Sequence, residues 1–373
     1  MSFSRRSFLH RLTAGAGAAA LVQLPLAEKL FASPEPQRNP IIPGAVRLNS
    51  NENAYGPLPS AMKAMQRSLS EGNRYPFGRY DALAQAIATP LGVSPKQILT
   101  GAGSTEHLRM TAQAFCSGGK NVVVADPTFE SISEFVTAAG GEVRKVPLTS
   151  TYAHDLDAML QRVDRNTGLI YICNPNNPTA SITPAKDIET FVSKLPPSTA
   201  VLIDEAYFHF AAGLPDYRSF IDHASDRVIV MRTFSKIYGM AGIRLGYTVS
   251  SEATAKKLAA FRLPIDVSNI SAEGGIASLA ATDEMHFAAE RNAADRAEFG
   301  KQATARKLTF IPSYANFVMI KTNRDAKEMM TAFQQRNILI GRPFPPMTDF
   351  IRVSLGLPDE NKAFWTAWDQ INA

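Results

Sequence analysis

The sequence predicts an α/β protein: a mostly parallel central sheet with helices on both faces, followed by a smaller α+β lobe. Three observations carry this. From about residue 80 to 250, short aliphatic runs alternate with amphipathic segments. The runs are almost unbroken in hydrophobicity, and beyond Ala253–Arg262 the spacing turns to long helical patterns. Alternating strands and helices build a parallel sheet covered by helices, and strands buried on both faces cannot alternate polar with apolar.

The N-terminus reads first as a leader. Ser4-Arg5-Arg6-Ser7-Phe8-Leu9 matches the twin-arginine export pattern, and Leu12–Leu24 is a weakly apolar, Ala/Gly-rich stretch closed by Gln23 and Pro25. Such a stretch is too polar for a spanning helix, so no membrane anchor is expected. Ala32 is the expected cleavage point and a periplasmic or otherwise exported location follows. An unused signal would leave a basic arm on a cytoplasmic protein. Of the formal charge of +5, residues 1–32 hold +3 (Arg5, Arg6, Arg11 and Lys29 against Glu28). The remaining +2 or so excludes nucleic acid as a partner.

A length of 373 residues, 45% hydrophobic and 20% charged, suits a large folded core in two lobes. The expected divisions are a signal over 1–32, an N-terminal arm and substrate segment over 33–75 that is Pro- and Asn-rich over 33–48, a large domain over 76–265 and a small domain over 266–373. In the large domain, Val122–Ala125, Leu169–Cys173, Ala200–Ile203, Val228–Met231 and Leu245–Val249 read as strands. Thr128–Ala139 and Pro184–Lys194 read as helices, the second capped by Thr183 with Pro184 in its first turn. The small domain should hold one long helix over Ala272–Lys307, a strand at Asn316–Lys321, a helix near Asp325–Arg336 and a closing strand–helix pair. Cys116 and Cys173 sit in apolar runs and read as buried thiols rather than a disulfide.

Ligands of open parallel sheets bind at the carboxyl ends of the strands, and four motifs follow such ends. Gly101-Ala102-Gly103-Ser104-Thr105-Glu106 precedes a helical segment and reads as a phosphate cup at a helix N-terminus. Asn174-Pro175-Asn176-Asn177-Pro178-Thr179 is a tight polar loop after an apolar strand. Asp204-Glu205-Ala206-Tyr207 brings a carboxylate out of an apolar run, which needs a cation or proton donor to meet it. Arg232-Thr233-Phe234-Ser235-Lys236 places an amine among hydroxyls and cations that lower its pKa, with Arg244 eight residues on. Singly each is commonplace. Their order and spacing are not: 27 residues separate Asn177 from Asp204, and 32 separate Asp204 from Lys236.

In that order the motifs resemble the fold-type I, pyridoxal-phosphate (PLP) dependent aminotransferases of classes I and II, from about residue 45 to the end. Within them the chain is most similar to histidinol-phosphate aminotransferases, through Leu48–Pro57, Arg74-Tyr75-Pro76, Arg342-Pro343 and Ile351–Gly356. The resemblance implies that Lys236 carries the cofactor covalently and acts as the base. Asp204 would pair with the ring nitrogen, Asn177 and Tyr207 would hold the ring's 3-oxygen, and Phe129 would stack on the ring. Ser104, Thr105, Thr233, Ser235 and Arg244 would hold the phosphate, with Glu106 in the same cup and Tyr75 reaching in from the second subunit of a homodimer. Arg352 would grip a substrate carboxylate. Asn53, Tyr55, Asn177 and Arg342 would line the substrate site.

No metal is expected. The implied reaction moves an amino group from an amino acid or related amine to a 2-oxo acid such as 2-oxoglutarate. An exported PLP-dependent oxidase, decarboxylase or lyase is the alternative. The chain departs from the pattern at Ala180, where Gly is usual, and at Phe208-His209, where an acidic residue is common. His209 reads as a structural histidine, with a substrate-side role as the other reading, and His107 as a packed one.

Overall fold

In the computed structural model, residues 42–373 are described; the leader expected over 1–32 lies outside them. The strands are β1 (Val46–Leu48), β2 (Ile98–Gly101), β3 (Asn121–Asp126), β4 (Glu142–Pro147), β5 (Thr167–Cys173), β6 (Ala200–Asp204), β7 (Val228–Thr233), β8 (Gly246–Val249), β9 (Phe317–Lys321), β10 (Ile338–Ile340) and β11 (Phe350–Ser354). The helices are α1 (Pro59–Ser68), α2 (Arg79–Leu91), α3 (Ser104–Cys116), α4 (Ser131–Ala138), α5 (Leu156–Gln161), α6 (Ala185–Lys194), α7 (Phe208–Ala211), α8 (Glu252–Ala259), α9 (Asn269–Ala280), α10 (Thr282–Ala305), α11 (Ala326–Gln334) and α12 (Pro358–Ile371).

Seven strands form the main sheet in the order β2-β8-β7-β6-β5-β3-β4. All five strands expected from the aliphatic runs are present, and β5, β6 and β7 are buried at every position. The sheet is parallel from β4 through β7, while β8 runs antiparallel to both β7 and β2. The sequence does not announce β2 or β4. β2 has four residues, and β4 is an edge strand whose exposed positions break the apolar run. Helices cover both faces, with one apolar core on each side of the sheet.

Two helical expectations need correcting. The long helix over Ala272–Lys307 is two helices, α9 and α10, broken at Ala281. α9 packs closely on α1 and α2: a Cβ on Gly274 would stand 2.8 Å from Met65, and one on Gly275 would stand 3.2 Å from Leu83. The N-cap of α6 is Pro184, not Thr183. The Thr183 hydroxyl instead accepts the His154 N–H at 2.9 Å, and its own N–H donates to the Asn174 side chain at 3.0 Å, bracing the loop after β5.

The α+β part has its own core, in which Phe299, Phe333, Phe364, Trp365 and Trp368 stack; the Phe333 and Phe364 rings lie 4.9 Å apart and nearly parallel. The antiparallel pair β9–β11 backs it. The N-terminal arm enters through β1, which pairs parallel with β10. That pairing delivers Asn49–Asn53 beside Arg352. Both cysteines are buried and free, and among the described residues no helix is long and apolar enough to cross a membrane.

Candidate active site

The four motifs converge at the carboxyl edge of the main sheet. Cys173, Asp204 and Met231 stand in register across β5, β6 and β7. Gly101 and Thr233 both pair with Gly246, so the cup and the lysine segment flank one residue of β8. That residue must be glycine, because a Cβ there would lie 2.6 Å from the Ser104 nitrogen. Gly103, with φ near +84°, turns the chain into α3.

The cup is a set of donors facing outward. Ser104 and Thr105 form the first turn of α3, whose free N–H groups and dipole favour an anion. The Arg244 guanidinium lies over Gly103, so that a Cβ on Gly103 would overlap it, and donates to the Ala102 carbonyl at 3.4 Å. The Thr233 hydroxyl donates to that of Ser235 at 2.9 Å. Glu106 does otherwise than expected. Its buried carboxylate turns back to accept the Ala102 N–H at 2.7 Å and the Leu263 N–H at 3.2 Å, so it holds the cup's shape rather than facing a ligand. His107 is fully buried, and burial pulls its pKa down to about 4.

Asp204 and Glu205 leave β6 on opposite faces. Glu205 is buried in an ion pair with Arg232, 2.9 Å away, on the side away from the site. Asp204, only 3% exposed, accepts the Tyr171 hydroxyl at 2.8 Å and the Ala206 N–H at 3.0 Å. Burial raises its pKa to about 6 against the pull of those two donors and of Lys236. Tyr171 was not anticipated. The one cue is a phenol in an otherwise aliphatic run, two residues before the strand ends.

Lys236 donates to the Asn51 carbonyl at 3.2 Å. Burial, then the positive charge of Arg352, lower its pKa to about 8, with Arg244 adding to the effect and Glu52 and Asp204 opposing it. Asn51, another residue not singled out beforehand, also donates from its side chain to the Tyr207 hydroxyl at 3.0 Å. Tyr207 thus keeps its own proton to give. The Asn177 carbonyl oxygen accepts from Arg352 at 2.7 Å, which leaves its amide hydrogens to donate. Phe129 sits half-buried beside this loop, tied to it through Thr128 and Asn176 at 2.7 Å. Ala180 holds φ near +59°, the left-handed conformation that explains why Gly is usual there.

Arg352 is 7% exposed and uses one nitrogen on Asn177 and another on the Asn49 carbonyl at 2.8 Å; its Nε has no partner. Burial brings its pKa down to about 10. Arg342 and Tyr55, both expected to line the substrate site, are held by different partners. Arg342 pairs with Glu130, whereas the Tyr55 hydroxyl donates to Asp295 at 3.0 Å under the Arg291 guanidinium. Asn53 donates to the Ile237 carbonyl at 3.0 Å and so fixes the arm to the lysine loop. Tyr75 is 69% exposed, beside the equally exposed Phe77. His209 meets the Tyr238 hydroxyl at 3.2 Å, and burial lowers its pKa to about 3, a neutral structural residue.

A lowered lysine amine, a buried carboxylate with room for one more donor, and an anion cup with an arginine over it fit a phosphorylated pyridine aldehyde. The fold and site are those of a PLP-dependent aminotransferase. Sequence comparison agrees: the model of the family "Aminotransferase class I and II" matches residues 43–363, and the chain belongs to that family. It is 34% identical to a histidinol-phosphate aminotransferase of Moorella thermoacetica over 91% of this chain and 88% of that one. It is 36% identical to an aromatic amino acid aminotransferase of Rhodococcus jostii over 86% and 89%. The Sinorhizobium meliloti histidinol-phosphate aminotransferase, solved with pyridoxal 5'-phosphate, superposes with a TM-score of 0.82 at 30% identity, covering 88% of this chain and 90% of that one.

Proposed function

We propose that this aminotransferase draws its amino group from an α-amino acid rather than from histidinol phosphate, and that it works as an exported homodimer. The observation behind the choice of donor is Arg352. A buried guanidinium with an unpartnered Nε suits a carboxylate, which every α-amino acid donor and 2-oxo acid acceptor carries. The resemblance to aromatic amino acid aminotransferases points the same way.

When bound, PLP supplies a ring that accepts the negative charge developing at the donor's α-carbon. The protein's residues do the rest. Lys236 would hold the cofactor and would serve as the base at the donor's α-carbon. Asp204 would keep the proton on the ring nitrogen, and Tyr207 and Asn177 would donate to the ring oxygen. Ser104, Thr105, Thr233, Ser235 and Arg244 would hold the phosphate. Arg352 would bind the donor's carboxylate and turn its α-proton toward Lys236, an orientation that would favour amino transfer over loss of carboxylate.

The exposed Tyr75–Phe77 pair supports a second subunit, with Tyr75 completing the neighbour's phosphate site. Arg5 and Arg6 support twin-arginine export. A donor screen with pyruvate and 2-oxoglutarate as acceptors, following the keto product, tests the reading. Turnover of α-amino acids is expected, and activity confined to histidinol phosphate overturns it. Peroxide or carbon dioxide released without an acceptor would place the enzyme among the oxidases or decarboxylases. Sedimentation tests the dimer, and fractionation of cells carrying Arg5→Lys and Arg6→Lys tests export.

A further inference from the structure

We infer that Glu130 sets substrate charge preference by neutralising Arg342, so that the site selects neutral side chains over anionic ones. The inference rests on the donor reading above and narrows it. Arg342 follows Gly341, whose N–H donates to the Arg352 carbonyl at 2.8 Å, so the two arginines are neighbours. Both guanidiniums lie against the Phe344 ring, at 4.4 Å for Arg342 and 4.6 Å for Arg352. Arg352 is buried, while Arg342 is half-buried and nearer to solvent. A substrate whose carboxylate meets Arg352 therefore directs its side chain toward Phe344 and Arg342.

Alone, Arg342 would attract a second carboxylate or a phosphate. It is not alone. Glu130, the residue after the ring-stacking Phe129, forms an ion pair with it. An anionic side chain arriving there must displace one carboxylate and then lie beside it, a like-charge contact that weakens binding strongly. A neutral ring has no such conflict and meets the Phe344 face. The same rule extends to acceptors: a monocarboxylic 2-oxo acid should be preferred to 2-oxoglutarate.

Glu130→Gln keeps the shape and removes the charge. For the cofactor-loaded enzyme, the ratio of kcat/KM for L-glutamate to that for L-phenylalanine should rise about tenfold. Calorimetry gives a readout independent of turnover: the dissociation constant of succinate relative to 3-phenylpropionate should fall by a similar factor. Both gains should vanish in the Glu130→Gln, Arg342→Gln double variant, since the effect runs through Arg342. Ratios within twofold of wild type, or a gain that survives loss of Arg342, overturn the inference. Failure of the donor reading looks different. L-phenylalanine would then not be turned over by the wild type, while the succinate measurement would still decide the role of Glu130.

Discussion

The two halves of the active site are built in opposite ways. The cofactor half comes from the ends of neighbouring strands β5, β6, β7 and β8, with Tyr171, Asp204 and Thr233 buried and hydrogen-bonded. The substrate half joins segments far apart in sequence: Asn49–Tyr55 from the arm, Glu130 from the loop before α4, and Arg342 and Arg352 from the small lobe. Its main links, Arg352 to Asn49 and Ser354 to Asn51, each span 303 residues. Chemistry is fixed in the first half and recognition is adjustable in the second. Changes in the cofactor half should therefore cost most.

Lys236→Ala is the most severe test. It should lower turnover by about 10⁴-fold and abolish the borohydride-trappable cofactor, because among the described residues Lys236 is the lysine that acts on Asp204. Residual activity within a hundredfold of wild type would break the assignment. Asp204→Asn should come next, at about 10² to 10³-fold in kcat, with the visible absorbance showing loss of the ring-nitrogen proton. In the substrate half, Arg352→Gln should cost about a hundredfold in kcat/KM for α-amino acids while the cofactor stays bound. A variant that loses cofactor as readily as Asp204→Asn would erase the contrast between the halves.

That contrast also explains what was legible. The strands of the cofactor half are continuous aliphatic runs, and their motifs lie immediately after them, so local order revealed both fold and chemistry. The substrate half depends on contacts that no local pattern encodes. The Arg342–Glu130 pair spans two lobes, and Tyr55 finds Asp295 through α10. Tyr171 and Asn51 were missed for a related reason. Each acts by donating to a residue distant in sequence, Asp204 or Tyr207, and the one local cue is the phenol of Tyr171 in an aliphatic run. The helix expected over Ala272–Lys307 is broken at Ala281 although both sides of the break are helical, so no local change of pattern marks it.

The smallest effect expected is one that couples the halves. Burial lowers the Lys236 pKa most and the Arg352 charge comes second, for a value of about 8. Only the neutral amine attacks an aldehyde, so capture of PLP by the apoprotein should speed up tenfold per pH unit below about 8 and level off above it. A nearby cation disfavours the ammonium form. Removing it in Arg352→Gln therefore raises the lysine pKa, and the midpoint of the capture-rate profile should move to higher pH by roughly half a unit or more. Arg342→Gln should move the midpoint less than Arg352→Gln, since Arg352 is the charge that acts most on Lys236. A downward shift in Arg352→Gln would mean that Arg352 orders the arm around Asn51 more than it repels the amine. The site's two halves would then be joined by structure rather than by charge.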